Sequence, residues 1–262
     1  MNNLAQATWV ELLKARRSRM PVITLLAFSL APLAGGFFMW VLKDPEMAQR
    51  VGVISLKAQI VAGTADWPTY MSILFQAVAI GGIILFSLIT SWVFGREWAD
   101  YTLNDLLALP TGRSSIVLAK FLVVILWSAG ITLVIFLISM GIGMLLDLPQ
   151  APAGLLQESA VQLVVTTGLT ILLVTPIAFA ASAGRGYLPP MGIAILAIVL
   201  AQLVAAAGWG DYFPWSIPAL YTGVAGSAYG DMGAASFLIV LLTSIAGLGA
   251  TLTWWEWADQ AG

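Results

Sequence analysis

The sequence contains no cysteine and no histidine, and only 9% of its residues are charged. Without cysteine there is no disulfide framework and no thiolate chemistry. Without histidine the chain lacks the commonest metal ligand and the usual general base near neutral pH. These absences disfavour a membrane-embedded hydrolase, and we predict neither catalytic residues nor a metal site on this chain.

The scarcity of charge also indicates where the protein resides. Soluble domains carry about 25% charged residues, whereas this chain combines 9% charged with 60% hydrophobic residues. Its mean hydropathy is +0.94, and we predict an integral membrane protein. The net charge of -2 gives no reason to expect a nucleic-acid partner. No Gly-x-x-x-x-Gly-Lys-Ser/Thr loop for ATP phosphates occurs, so any uphill transport would draw its energy from a partner chain.

Six apolar runs are long enough to cross a bilayer, which takes about 20 residues. We therefore predict an all-α membrane protein whose residues 1–262 form a single transmembrane domain. The predicted spans cover approximately residues 20–42, 70–95, 117–146, 159–183, 188–208 and 234–255. None of them holds an Asp, Glu, Lys or Arg near its middle. This argues against a proton-coupled transporter, because such groups usually mark ion or proton paths.

The basic residues predict an orientation. Lys and Arg are enriched in cytoplasmic connections, and a cytoplasmic N-terminus places eight of them inside and three outside. The eight are Lys14, Arg16, Arg17, Arg19, Arg96, Arg113, Lys120 and Arg185. We predict a multi-pass protein of the bacterial cytoplasmic membrane with both termini in the cytoplasm.

Residues 1–19 form a basic amphipathic stretch with a tryptophan, Trp9. Such a helix is typical of the membrane interface, and we interpret it as an elbow helix preceding span 1. Aromatic residues at predicted span ends, such as Trp67 and Tyr70, are interpreted as interface anchors.

Residues 96–115 lie between two long charge-free runs, and five of these twenty residues are charged. Leu103, Leu106, Leu107 and Pro110 recur at the spacing of one helical face, and the proline ends the helix. We predict a short cytoplasmic helix between spans 2 and 3. Its apolar face is suited either to the lipid surface or to a groove on another protein.

Residues 212–221 are too apolar for a free loop and too interrupted for a span. They are a candidate re-entrant hairpin before span 6, since non-helical backbone is tolerated at membrane depth when protein buries it. An interfacial loop is the alternative.

The stretch from Glu97 to Lys120 resembles the cytoplasmic coupling segment of ABC transporter type-2 permeases. The residues that carry the resemblance are Glu97, Thr102-Leu103, Leu106-Leu107-Ala108-Leu109-Pro110-Thr111-Gly112-Arg113 and Ala119-Lys120-Phe121. The bacitracin-export and lantibiotic-immunity branch is the most similar, on the Pro214-Trp215-Ser216-Ile217-Pro218 segment. The family commonly has glycine immediately before the threonine, where this chain has Tyr101.

The resemblance implies a partner for the segment. Leu103, Leu106 and Leu107 would fill a cleft on a cytoplasmic ABC ATPase, while Glu97, Asp100 and Arg113 would contact its rim. The full set assigned to ATPase coupling is Glu97, Trp98, Tyr101, Thr102, Leu103, Leu106, Leu107, Pro110 and Arg113.

The resemblance also implies the assembly. Two ATPase copies would bind ATP and magnesium, with no cofactor on this chain. A second permease chain, identical or related, would complete a translocation path lined by spans 2 and 5, with membrane lipid around it. The candidate path residues are Gln76, Thr90, Gln202 and Trp215.

Two functions follow from this architecture. The first is the membrane subunit of an ATP-driven exporter for a hydrophobic or amphipathic cargo such as a peptide antibiotic, a drug or a lipid, because the spans are uncharged. The alternative is a mechanical element that passes ATPase-driven motion to a periplasmic or membrane partner without exporting cargo. In the alternative, the outer loop 43–66 and residues 212–221 would be docking surfaces.

Overall fold

The computed structural model of the chain describes residues 3–43, 64–108, 110–149, 153–223 and 232–257. Within these ranges every regular element is helical, and six helices are long and apolar enough to cross a membrane. The predicted all-α class and the six spans are therefore confirmed. Most of the predicted outer loop 43–66 lies outside the described residues.

The α-helices are named here in chain order. They are α1 (Asn3–Arg17), α2 (Met20–Lys43), α3 (Trp67–Gln76), α4 (Gly82–Ala99), α5 (Leu103–Leu107), α6 (Arg113–Leu145), α7 (Leu155–Leu172), α8 (Thr175–Ala183), α9 (Leu188–Ala206), α10 (Ile217–Tyr221) and α11 (Ala234–Trp257). Spans 1, 3, 5 and 6 are α2, α6, α9 and α11. Span 2 (Trp67–Ala99) joins α3 and α4, and span 4 (Leu155–Ala183) joins α7 and α8.

Span 2 begins at a capped terminus and contains one irregular turn. Asp66 accepts a hydrogen bond from the backbone N–H of Thr69 at 2.9 Å, which satisfies a free donor of the first turn. Burial alone would raise the pKa of Asp66, but hydrogen bonds from Thr64 and Thr69 lower it below its ordinary value. Between α3 and α4, Ala77–Gly81 form a π-helical turn. Such turns often occur at functional sites.

Span 4 is interrupted where Pro176 begins α8. Proline cannot donate the helical hydrogen bond, and a freed carbonyl in a membrane needs another partner. The Thr175 hydroxyl donates to the carbonyl of Leu172 at 2.9 Å and to that of Ser244 in span 6 at 3.0 Å. The break in span 4 is therefore linked directly to span 6.

Gly247 allows span 6 to approach this break closely. A Cβ added at Gly247 would overlap the backbone nitrogen of Pro176, and backbone cannot move aside as a flexible side chain can. By contrast, a Cβ at Gly249 would meet nothing within 4 Å. Small residues at helix contacts are typical of membrane proteins, because they let two backbones pack tightly.

We expect Gly247→Ala to lower the free energy of unfolding by about 1–3 kcal/mol through overpacking. Gly249→Ala adds the same methyl group two residues away, where it meets open space, and we expect no loss of stability. Thermal unfolding of the two variants in detergent measures the difference. Equal stability of both variants would show that spans 4 and 6 are not in close contact at Gly247.

Several aromatic residues at the ends of the spans face the interior of the protein. Trp67, Tyr70 and Trp255 are buried in the protein, with 7%, 1% and 1% of their surface exposed. The Tyr70 hydroxyl donates to the carbonyl of Pro32 at 3.1 Å, and the Trp255 indole donates to Ser182 Oγ at 3.0 Å. The prediction that Trp67 and Tyr70 are lipid-interface anchors is therefore wrong. Their rings instead pack span 2 against spans 1 and 3.

Residues 210–221 fold into two 3-10 turns, Gly210–Tyr212 and Pro214–Ser216, followed by the short helix α10. Ile217 is fully buried and packs in a small cluster with Leu169, Leu173 and Val240 of spans 4 and 6. The Ser216 hydroxyl donates to the carbonyl of Gly210 at 2.7 Å. The segment is therefore packed against the helix bundle, and its re-entrant depth in a membrane stays a prediction.

Candidate coupling site and cavity

A buried cluster of four charged side chains joins α1, α4 and α6. Lys120 of α6 is fully buried, and its Nζ lies 2.8 Å from Glu97 Oε2 and 3.3 Å from Glu11 Oε2. The same ammonium donates to the carbonyl of Val93 at 2.7 Å. With Glu97 Oε1 at 2.9 Å, four protein oxygens replace the water that this ammonium would otherwise bind.

Lys14 completes the cluster from the surface side. Its Nζ lies 2.5 Å from Glu11 Oε1 and 3.0 Å from Glu97 Oε1. Burial disfavours the charged form of Lys14, but the two carboxylates outweigh this and raise its pKa above the ordinary value. Two lysines and two glutamates give a net charge of zero, which is the condition under which buried charges are tolerated.

The segment after span 2 turns through a left-handed residue. Tyr101 has φ 56, and α4 ends with the backbone N–H of Thr102 donating to Glu97 O at 3.0 Å and that of Tyr101 donating to Trp98 O at 3.3 Å. This is the Schellman pattern of helix termination, whose left-handed position is usually glycine. The chain keeps the backbone geometry of a glycine while presenting a tyrosine side chain that is 92% exposed.

The short helix α5 presents its apolar face to its own chain. Leu103 is 5% exposed and belongs to the main hydrophobic core, and Leu106 packs against that core while half-buried. The side chain of Leu107 lies outside the described residues. The solvent-facing side carries Tyr101, Thr102 and Asp105. We name the exposed residues Tyr101, Thr102 and Asp105 the coupling tip.

A cavity of about 210 Å³ lies between spans 2 and 5 and residues 210–221. Its walls are almost entirely apolar and are formed by Ile80, Ile83, Ile198, Ala201, Gln202, Ala205, Trp215, Ser216, Ala219 and Leu220. Ile80 belongs to the π-helical turn of span 2. Trp215 Nε1 is buried, and among the described residues it has no hydrogen-bond partner. The cavity therefore combines apolar walls with the amide of Gln202 and the aromatic ring of Trp215.

Comparison with known proteins identifies the family. Residues 7–201 match the model of the ABC-2 family transporter proteins. The chain belongs to the ABC-2 transporter family. Bacitracin transport permease protein BCRB of Bacillus licheniformis is 27% identical over 183 residues, which cover 70% of this chain and 87% of that protein. The predicted family and its bacitracin branch are confirmed. ABC-2 membership implies partnership with an ABC ATPase.

Several residues assigned to the ATPase contact are engaged within this ABC-2 permease itself. Glu97 is 2% exposed and pairs with the two lysines of the cluster. The Trp98 ring lies 4.9 Å from the guanidinium of Arg185. Arg113 Nη1 donates to the carbonyl of Trp255 at 3.1 Å. Of the predicted set, Tyr101, Thr102, Pro110 and Arg113 are exposed.

The four candidate path residues are not all together in the permease. Gln202 and Trp215 line the cavity. Gln76 donates to Ser72 Oγ at 3.1 Å within α3 and does not line it. Thr90 is fully buried and donates back to the carbonyl of Phe86 at 2.7 Å. Only Gln202 and Trp215 therefore share this cavity, and the assignment of these four residues to a cargo path stays a prediction.

Glu11 and Lys14 were missed as site residues at the level of sequence. The available signal was Glu11, the single acidic residue among residues 1–43. An acid on the basic helix of a membrane interface requires a partner, and its partners here are Lys14 on the same helix and Lys120 from span 3.

Proposed function

We propose that this permease is the membrane subunit of an ATP-driven exporter and that its coupling tip contacts a separate ATPase. The observation that carries the proposal is the placement of the tip. Tyr101 and Thr102 lie four and five residues after Glu97, and the backbone N–H of Thr102 donates to Glu97 O at 3.0 Å. The Glu97 carboxylate is in turn bound to Lys14 of α1 and Lys120 of span 3. A force applied at the tip would therefore reach α1, span 2 and span 3 together.

The chain itself would carry no catalytic residue, and ATP and magnesium would bind to the partner. Two ATPase copies and two permease chains, identical or related, would form the transporter. In the orientation that places the tip in the cytoplasm, both termini are cytoplasmic and the membrane is the bacterial cytoplasmic membrane. The wide exposed apolar faces of spans 5 and 6 suit contact with lipid or a second permease, since only 22% and 28% of these spans is buried in the chain.

The cavity supports the choice of cargo. Its apolar lining, which includes the Trp215 ring, favours a hydrophobic or amphipathic molecule, and the Gln202 amide can orient a polar group of the cargo. The relative is named for bacitracin transport, and a peptide antibiotic of this kind is the cargo class we propose. A drug or a lipid shares the same chemistry.

We expect Trp215→Phe to weaken the transport of such a cargo about fivefold, because the smaller ring loses part of the apolar contact with the cargo, about 1 kcal/mol. Trp209→Phe is the matched control, because Trp209 is in the same connection but 66% exposed. Concentration dependence of cargo export from cells expressing each variant measures the effect. Equal loss in both variants would remove Trp215 from the cargo site.

The proposed function is tested by reconstituting the permease in liposomes with its cognate ABC ATPase. We expect the ATPase rate to change on addition of the permease and a fluorescent amphipathic peptide to move across the membrane when ATP is present. A change in ATPase rate without movement of any hydrophobic or amphipathic cargo would favour the alternative, in which motion is passed to another protein. An unchanged ATPase rate and no association would contradict both.

A further inference from the structure

A second cavity, separate from the one between spans 2 and 5, lies where α1 meets the end of span 2. It has a volume of about 280 Å³ and is lined by Val10, Leu13, Lys14, Arg17, Ser18 and Arg96. Three of these six residues are basic and none is acidic. Val10, Leu13, Lys14 and Arg17 all belong to α1, so the cavity combines apolar and basic side chains of this helix with Arg96 of span 2.

The basic residues around this cavity differ in whether an acidic side chain already pairs with them. Lys14 is neutralised within the cluster by Glu11 and Glu97. Arg96 Nε lies 3.1 Å from Asp100 Oδ2, but its Nη1 is buried and has no hydrogen-bond partner among the described residues. Arg17 is exposed at the end of α1, and the described part of the chain gives it no ion pair. Among the three basic residues that line the cavity, Arg17 is therefore the one whose charge no described acidic side chain balances.

We propose that this cavity binds the phosphate headgroup of an anionic phospholipid. A phosphate accepts hydrogen bonds from arginine and prefers its guanidinium geometry, which fits the exposed guanidinium of Arg17 beside Lys14 and Arg96. Val10 and Leu13 provide apolar surface for the first part of an acyl chain. Basic pockets between membrane helices are known to bind anionic headgroups.

The position of α1 is consistent with a lipid rather than a soluble ligand. Trp9 and Leu12 of the same helix are 64% and 38% exposed, whereas Glu11 and Ala15 are buried against the chain. An amphipathic helix with these exposed residues lies in the membrane interface, at the level of the headgroups. The cavity is therefore next to lipid whether or not an ATPase is bound, and the inference does not depend on the proposed transport function.

The binding is tested on the full chain in nonionic detergent by thermal unfolding. Phosphatidylglycerol, phosphatidylcholine with the same acyl chains, and inorganic phosphate are each added over a concentration series. We expect phosphatidylglycerol to raise Tm in a saturable manner and the other two to have no such effect. Equal stabilisation by phosphatidylcholine would overturn the headgroup site. Equal stabilisation by inorganic phosphate would overturn the assignment to a lipid.

The neighbouring arginines on α1 provide a matched pair of variants. Arg17→Gln should raise the phosphatidylglycerol concentration for half-maximal stabilisation about fivefold, the effect of about one basic residue near a charged membrane. Arg16 is adjacent and exposed but does not line the cavity, and Arg16→Gln should leave this concentration unchanged. Equal effects of both variants would mean that the basic residues of α1 attract the anionic lipid without a specific site, and would overturn the proposal.

Discussion

Replacing Lys120 with methionine is expected to lower the free energy of unfolding by about 3–5 kcal/mol, the cost of breaking a buried ion pair. Methionine keeps the length of the side chain but leaves Glu97 and Glu11 with Lys14 as the one remaining cation of the cluster. The measurement is unfolding by denaturant in mixed micelles. Arg19→Met is the control, because Arg19 is exposed and lies outside the cluster.

The double variant Glu97→Gln with Lys120→Met distinguishes the effect of an unbalanced charge from the effect of a changed side-chain shape. It removes one charge of each sign and restores the balance of the cluster, so we expect it to be more stable than Lys120→Met alone. A destabilisation by Lys120→Met no larger than that by Arg19→Met would contradict the buried cluster. The charge balance would be contradicted if the double variant lost more free energy of unfolding than the two single variants lose when their losses are added.

Replacing Tyr101 with glycine is expected to weaken binding of the ATPase without lowering the stability of the permease. The left-handed backbone at φ 56 costs a residue with a side chain about 1–2 kcal/mol, and glycine has no such cost but loses more chain entropy on folding. The stability of the permease should therefore stay the same or rise by up to about 1 kcal/mol. Binding of the ATPase should weaken by about 2 kcal/mol, or about thirtyfold, if the exposed ring is an interface hot spot.

The control for this variant is Tyr212→Gly. Tyr212 is also exposed, at 65%, but it lies in the connection between spans 5 and 6, at the opposite end of the bundle from the coupling tip. Tyr212→Gly should leave the affinity for the ATPase unchanged. Thermal unfolding and a titration of the ATPase against each variant are the two measurements. Reduced stability of Tyr101→Gly would contradict backbone strain at this position, and unchanged affinity would remove the ring from the interface.

The spans were predictable from the sequence because each is an uninterrupted apolar run, and the length needed to cross a bilayer is fixed by its thickness. The family was predictable from the residues between Glu97 and Lys120. The departure at Tyr101 was visible as well, but its meaning required the backbone. Only the structure shows that the tyrosine adopts the left-handed conformation for which glycine is usually selected.

The burial of Glu97 and Leu103 could not be predicted from the sequence. Glu97 has the sequence context of an exposed connection, yet it is buried by α1, which is far from it along the chain. Leu103 likewise fits the apolar face of a docking helix, but it packs into its own core. Helical periodicity identifies which residues share a face, but it does not identify what covers that face. Tertiary contacts decided both cases.

The absence of cysteine from the natural sequence allows the most direct test of the coupling tip. A single cysteine is introduced by Asp105→Cys in α5, or by Asp211→Cys in the connection between spans 5 and 6, and each permease is mixed with its ATPase and a short thiol crosslinker. Both aspartates are exposed. We predict a crosslinked permease–ATPase product for Asp105→Cys and none for Asp211→Cys. A product for Asp211→Cys alone would contradict the assignment of the coupling tip.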